Sequence, residues 1–223
     1  MTNRARRAPR QAEAERNDRA LLDAARAVLA VDGAHASVAA IAARAGVGIG
    51  SLYRRYRTKE ELFQRLCEIA LDEYLQAAEE GLAQLDPWAG LAHYVTTAIE
   101  LGAGSLAPIA GTIEVTEGMA EKNRRSDEAV EALVERAHAA GVLRRDVTAV
   151  DIALLIEQLA KSPLLEQLAR QGRTDLTEAA RNARERINAI ALDGLRATAG
   201  RPLPGHPPGY ELFSQRWAPP AGG

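Results

Sequence analysis

Apolar residues recur along this chain at spacings of three and four, which marks helices with one buried stripe. Leu21, Leu22, Ala25, Val28 and Leu29 form the first stripe, with Asn17 or Asp18 placed to cap the helix and Gly33 to stop it. Val38, Ile41, Ala42 and Ala45 form a second, short stripe between Ser37, a good N-cap, and Gly46, a good left-handed stop. A third short helix begins at Gly48 or Ile49 and carries Ser51, Tyr53, Arg54 and Arg55. Thr58 and Glu61 have capping-box spacing and open a long helix expected over 58–84, with Leu62, Phe63, Leu66, Ile69, Ala70 and Tyr74 on one side. Asp86 followed by Pro87 opens the next, because a proline in the first turn forfeits no hydrogen bond. This helix is expected to end near Gly102 or Gly104.

Glycines and Pro108 interrupt the apolar stretch 101–118, so short or broken helices are expected there. Ser126 reads as the cap of a helix ending at Gly141, and Thr148 as the cap of a helix over 150–161. The last long helix is expected over 176–199. Six of the ten prolines fall in 200–223, a poor helix or strand former in which Tyr210, Leu212, Phe213 and Trp217 remain able to dock on the body. No β pattern emerges, and the fold expected is all-α, with about nine helices.

Two short helices joined by a glycine turn, over 37–56, make a helix-turn-helix, whose second helix lies in the DNA major groove. Charge agrees with this placement. Residues 1–60 hold 12 Lys and Arg against 6 Asp and Glu, whereas the remainder holds 16 against 24. A basic front and an acidic back point to nucleic acid at one end.

The run AGVGIGSLYRRYRTKEEL, residues 45–62, resembles the DNA-binding signature of TetR-type (TetR/AcrR) transcriptional regulators. It departs from the commonest form at Gly48, where a serine often caps the recognition helix, and at Ile49, where a lysine is frequent. The resemblance implies a helical regulatory and dimerisation domain behind the reader, a homodimer, double-stranded operator DNA as partner, and an unknown small-molecule effector. It also implies backbone anchoring by Tyr53 and Lys59. Lys59 stands out physically as well, since a cation in the first turn opposes the helix dipole and a phosphate there would remove the conflict.

The domains expected are a flexible basic arm at 1–16, the DNA-binding domain at 17–64, the regulatory domain at 65–199 and the tail. Expected DNA contacts are Ser37, Val38, Gly48, Ile49, Gly50, Ser51, Tyr53, Arg54, Arg55 and Lys59, with Ile49, Gly50 and Ser51 facing base edges. Trp88, Tyr94, Thr97 and Glu117 are expected to wall a ligand cavity. The dimer interface is expected on the stripes of 150–161 and 176–199, namely Ile152, Ile156, Leu159, Ala183, Ile187 and Ile190. Leu66, Ile69 and Ala70 are expected to couple cavity to reader along the helix from Thr58, read as the one covalent route between them.

Other chemistry is not expected. His35, His93, His138 and His206 lie far apart, and neither a metal-site spacing nor a phosphate-binding loop or nucleophile elbow occurs. No cofactor and no enzymatic activity are therefore expected. One cysteine, Cys67, suits a reducing cytoplasm. No apolar run is long enough to span a bilayer, and no secretion signal is expected because no apolar segment follows the arginine-rich start.

Overall fold

The computed structural model describes residues 4–102, 106–198, 200–209 and 211. Among these are nine α-helices, with three short 3-10 turns: α1 (Arg4–Asp32), α2 (Val38–Ala45), α3 (Ile49–Arg55), α4 (Lys59–Ala83), α5 (Pro87–Glu100), α6 (Glu117–Ala139), α7 (Ala149–Ala160), α8 (Pro163–Arg170) and α9 (Thr177–Leu195). The described residues contain no strand, only an isolated bridge between Leu143 and Arg196. No helix among them is long and apolar enough to cross a membrane.

Most caps follow the sequence. Ser37 Oγ accepts the Ala40 N–H at 3.1 Å, and Gly46 closes α2 with φ 69°. Thr58 Oγ1 accepts the Glu61 N–H at 3.0 Å, while the Glu61 carboxylate reaches back one residue further than a standard box, to the Arg57 N–H. Asp86 Oδ1 caps α5 through the Ala89 N–H at 2.8 Å, and Thr148 and Asp151 form a full capping box on α7.

Four expectations need correction. Helix α1 begins at Arg4, so 4–16 is helical rather than a flexible arm. Its alanines, arginines, glutamines and glutamates are good helix formers, and the capping residues Asn17 and Asp18 lie inside. Helix α6 begins at Glu117, capped by Thr116, whose hydroxyl accepts the Met119 N–H at 3.2 Å. Ser126, expected as the cap, is instead a buried residue within that helix. Helix α8, opened by Pro163 in its first turn, was not expected. Finally, the chain crosses between two compact units more than once.

Unit 1 comprises the chain through Glu73, together with 105–123. In it α1 packs on α2, and α2 on α3. Leu21, Leu22, Leu29, Ile41, Leu62, Phe63 and Leu66 are fully buried. The inserted segment contributes Leu106, Ile109, Ile113 and Met119 to the buried set. It is fastened to the start of α4 by the Glu114 N–H donating to Glu60 Oε1 at 3.0 Å and by Gln64 Nε2 donating to the Glu114 carbonyl at 3.0 Å. Helix α4 is therefore not the one covalent route out of the reader, because the chain re-enters unit 1 and leaves it again within α6.

Unit 2 holds the larger body, 74–104 and 124–212. Its core gathers Leu91, Tyr94, Val95, Ile99, Leu133, Val134, Leu143, Ile152, Ile156 and Leu195. Arg136 of α6 covers the end of α4, donating to the Leu82 carbonyl at 2.7 Å and to that of Gly81 at 3.1 Å. Arg184 of α9 does the same for the ends of α5 and α7, through Ile99 and Ala160. The last carbonyls of a helix lack an i+4 partner; the arginines supply one to Leu82 and Ala160 and a second one to Gly81 and Ile99, which also accept the Gln84 and Gly102 N–H. The start of the proline-rich tail is also held. Arg144 forks onto Asp146 and donates to the Arg201 carbonyl, and the Leu203 N–H donates to Asp146. The Arg144 guanidinium, together with that amide, holds the Asp146 carboxyl well below the usual carboxylate range. The expected docking residues Tyr210, Leu212, Phe213 and Trp217 lie outside the described residues.

Cys67 is buried in unit 1, and burial followed by the nearby Glu68 charge pushes its thiol up to about 12. Since the thiolate is the reactive form, Ellman's reagent at pH 8 should leave the native protein unlabelled and titrate the thiol fully in denaturant. Rapid labelling of the folded protein would contradict this burial.

Candidate nucleic-acid interface

The reader begins with two helices too short to be stable alone, so their geometry depends on what they bury. Helix α2 buries Val38, Ile41 and Ala42, and α3 buries Leu52. Val38, expected at the DNA, is thus a core residue, because position N1 of α2 points its side chain into the stripe. The Gly46 turn has a single left-handed residue, and the Val47 N–H continues it by donating to the Ala42 carbonyl at 3.0 Å. Gly48 then caps α3 with backbone alone, leaving its first amides without a side-chain partner.

What remains outside is a coherent surface. Ser37, Gly48, Ile49, Gly50, Ser51, Tyr53, Arg54 and Lys59 are all exposed. Arg54 Nη2 donates to Ser51 Oγ at 2.7 Å, one turn back on the same helix. This pairing sets a forked cation beside a hydroxyl on the outward face, a donor pair suited to phosphate or a guanine edge. Tyr53 is 51% exposed, as a rim donor requires. Lys59 Nζ lies 5.1 Å from the centre of the Phe63 ring. That ring supplies part of the stabilisation an N-terminal cation lacks, and the ammonium stays at the surface.

Arg55 behaves differently from its expected role. Its guanidinium turns away from the outward face and forks onto Asp18 of α1, at 2.8 and 2.9 Å. The Tyr56 hydroxyl donates to the same carboxylate at 3.0 Å, and Arg65 of α4 donates at 3.3 Å. Burial first, and then the Asp18 charge, push the Tyr56 hydroxyl up to about 12, so it stays a donor throughout the physiological range. Asp18 was legible in the sequence as a cap. Its role as a buried acid was not, since nothing local pairs it with residues 37, 38 and 47 positions away.

The other expected sites scatter. Trp88 is half-buried, with the Arg196 guanidinium 4.2 Å over its ring. Tyr94 sits in the core of unit 2, Thr97 is half-buried, and Glu117 is exposed on a segment that belongs to unit 1. A cavity of about 400 Å³ in unit 2 is lined by His138, Ala139 and Arg145, none of them expected. Among the expected interface residues, Ile152 and Ile156 are buried in their own chain's core, and Leu159 packs against it. Ala183 is half-buried, while Ile187 and Ile190 are exposed. Leu66 and Ala70, expected as coupling residues, are buried on α4, and Ile69 is half-buried. No group of three or more metal-ligating side chains gathers among the described residues.

Residues 21–66 match the family described as bacterial regulatory proteins, tetR family. The chain is similar to a TetR transcriptional regulator from Streptomyces coelicolor, at 26% identity over 82% of this chain and 99% of that one, with a TM-score of 0.53. It shares the fold of the TetR transcription regulatory protein from Mycobacterium vanbaalenii, 23% identical over 83% of this chain and 98% of that one, with a TM-score of 0.54. No curated protein sequence matches it.

Proposed function

We propose that this chain, whose residues 21–66 match the tetR family of bacterial regulatory proteins and whose fold is the all-helical TetR type, is a homodimeric DNA-binding repressor released from its operator by a small molecule. The observation that carries the reading is the outward face of α2, α3 and the first turn of α4. There Ser37, Ser51, Tyr53, Arg54 and Lys59 offer hydroxyls and cations together, on a motif that turns Val38, Ile41, Ala42 and Leu52 inward. Tyr53 and Lys59 grip the phosphate backbone, while Ile49, Gly50 and Ser51 meet base edges.

A dimer of such readers binds an inverted repeat with half-sites about one helical turn, ~34 Å, or somewhat more apart. The effector binds unit 2, where α5 carries Trp88, Tyr94 and Thr97. Binding reaches the reader along α4 and along α6, both of which carry the chain between the units. A ligand acts in this way only if it favours one conformation of the dimer over the other.

Selection of bound sequences from a random DNA library tests the reading and should return a two-fold-related site. On that site, affinity should fall linearly with the logarithm of salt concentration, as counterion release requires. Lys59→Ala should weaken binding to all sequences about equally and reduce the salt slope by about 1.8, ~0.9 for each protomer. Ser51→Ala should shift sequence preference instead. An unaltered slope in Lys59→Ala would remove the anchor role. An effector, once found, should weaken operator binding by the same factor by which operator weakens the effector, and isothermal titration reads both.

A further inference from the structure

The reader contains one joint that the DNA-facing surface does not use. Asp18 lies near the N-terminal side of the α1 stripe, with its side chain only 5% exposed. Its two oxygens receive Arg55 Nη1 at 2.8 Å, Arg55 Nη2 at 2.9 Å, Tyr56 Oη at 3.0 Å and Arg65 Nη2 at 3.3 Å. These four contacts match the acceptor capacity of a carboxylate, so the group is saturated. The donors come from three places: the last turn of α3, its C-cap Tyr56, and α4. One acid therefore ties the end of the recognition helix to α1 and to α4 at once. Tyr56 is buried, and the Arg55 guanidinium lies 5.3 Å from the centre of its ring, which closes the joint from above.

Elsewhere α1 meets α4 through Arg19 and Arg26 on Glu73, a pairing that leaves α3 untouched. The Asp18 joint is thus the polar link that bears on the pose of α3. Helix α3 has seven residues and one buried side chain, Leu52, so packing alone constrains its far end weakly. The joint also has an electrostatic consequence. Arg55 is a cation on the recognition helix, and an unpaired cation there would bind any phosphate. Forked onto Asp18, it is neutralised and its donors are used.

We propose that Asp18 is a specificity-determining positioning residue: through Arg55, Tyr56 and Arg65 it fixes the recognition helix for its site and withholds Arg55 from the phosphate backbone. The proposal rests on the operator-binding reading above. Its physical content is that sequence preference comes partly from a residue that never touches DNA. A bidentate ion pair is geometrically specific as well as strong, so its loss should loosen orientation before it loosens the fold.

The test uses the full-length protein, a site selected from a random library, and a scrambled duplex. Circular dichroism and thermal melting establish that each variant is folded. Asp18→Asn keeps the shape of the acid and removes its charge. Its affinity for the selected site should fall about tenfold, the scale of a charge-assisted hydrogen bond. Its affinity for scrambled DNA should hold or rise, with a salt slope steeper by up to about 1.8, ~0.9 for each protomer, as Arg55 becomes free to meet a phosphate. Arg55→Gln should lower selected-site affinity similarly without lowering the salt slope on either duplex. The double variant should cost no more than the larger single effect, because both changes break one joint.

Equal losses on selected and scrambled DNA would show a merely structural role and overturn the proposal, as would a specificity ratio unchanged within about twofold. A slope reduced by about 1.8, ~0.9 for each protomer, in Arg55→Gln would make Arg55 a direct phosphate contact and overturn it too. Should Asp18→Asn fail to fold, Arg55→Gln carries the same decision, since Arg55 is largely at the surface. If the wild-type chain shows no preferred sequence at all, the failure lies with the operator-binding reading, and no variant is needed to see it.

Discussion

Ile187→Glu combined with Ile190→Glu is expected to leave a folded monomer whose operator affinity is lower by about two to four orders of magnitude, the avidity scale of linked half-sites. The two isoleucines are spaced i, i+3 and so share one face of α9. They are 55% and 68% exposed, a poor state for large aliphatic side chains on a helix whose buried residues are Ala180 and Leu195. Helix α8 adds exposed Leu164, and the turn before α9 adds Leu176. Large apolar side chains left exposed on a common helix face suit an interaction surface.

Covering one such side chain stabilises by about 1.5–3 kcal/mol, and a two-fold axis counts each residue twice. Scaled to the 55% and 68% still exposed, the pair is therefore worth on the order of 4–7 kcal/mol before association entropy is subtracted, an amount that decides whether a dimer forms. Glutamate at both positions removes this gain and adds like charges across the axis. Light scattering reads the mass, and gel shifts on whole and half sites read the affinity. A folded double variant that is still a dimer would place the contact on another surface.

Gly90→Ala is expected to destabilise unit 2 by about 3 kcal/mol or more, lowering its melting temperature by roughly 6–12 °C. Helices α4 and α5 cross at Gly81 and Gly90. A methyl on Gly90 would sit 2.3 Å from the Gly81 carbonyl oxygen and 2.4 Å from Arg136 Nη2. A methyl on Gly81 would sit 2.6 Å from the Gly90 oxygen. The obstructing atom is backbone in both cases, so no side-chain rotation relieves it and the helices must part. Parting them withdraws the α4 carbonyls from Arg136, which holds Gly81 and Leu82.

Alanine's better helix propensity returns only about 1 kcal/mol, against about 1–3 for overpacking and a further 1.5–3 for each hydrogen bond to a charged group that is lost. The unfavourable side wins. Gly118→Ala is the control: its methyl meets nothing closer than 3.9 Å, so stability should change by no more than about 0.5 kcal/mol. Thermal unfolding of the whole protein followed by circular dichroism compares the two, and equal melting temperatures would mean the crossing is looser than these distances require.

These two cases also show where sequence reading stops. Ser37, Gly46, Thr58, Asp86 and Thr148 specify their helix ends by bonds that span three or four residues, so local sequence sufficed. The reader was legible for the same reason, since a short helix, a left-handed glycine and a second short helix carry their geometry within twenty residues. Its solvent-facing residues followed from periodicity, except where a side chain found a distant partner. Arg55 is such an exception, because Asp18 is remote in sequence and only the packing of α1 on the reader brings them together. Val38 is another, turned inward by the start of its own helix.

In unit 2 the apolar stripes of α7 and α9 read alike, and sequence assigned both to an interface. The tertiary structure separated them: Ile152 and Ile156 fill their own core, while Ile187 and Ile190 have none of it left to fill. Helix α8 was missed because eight residues show little more than two turns of periodicity. Gly81 and Gly90 look like ordinary helix-weakening glycines in a sequence, and only the crossing of their helices makes them necessary. Sequence by itself determined the helices, their ends and the reader's chemistry, since these depend on neighbours along the chain. Which stripe is buried, which cation is free and which glycine is required depend on neighbours through space, and the fold alone decides them.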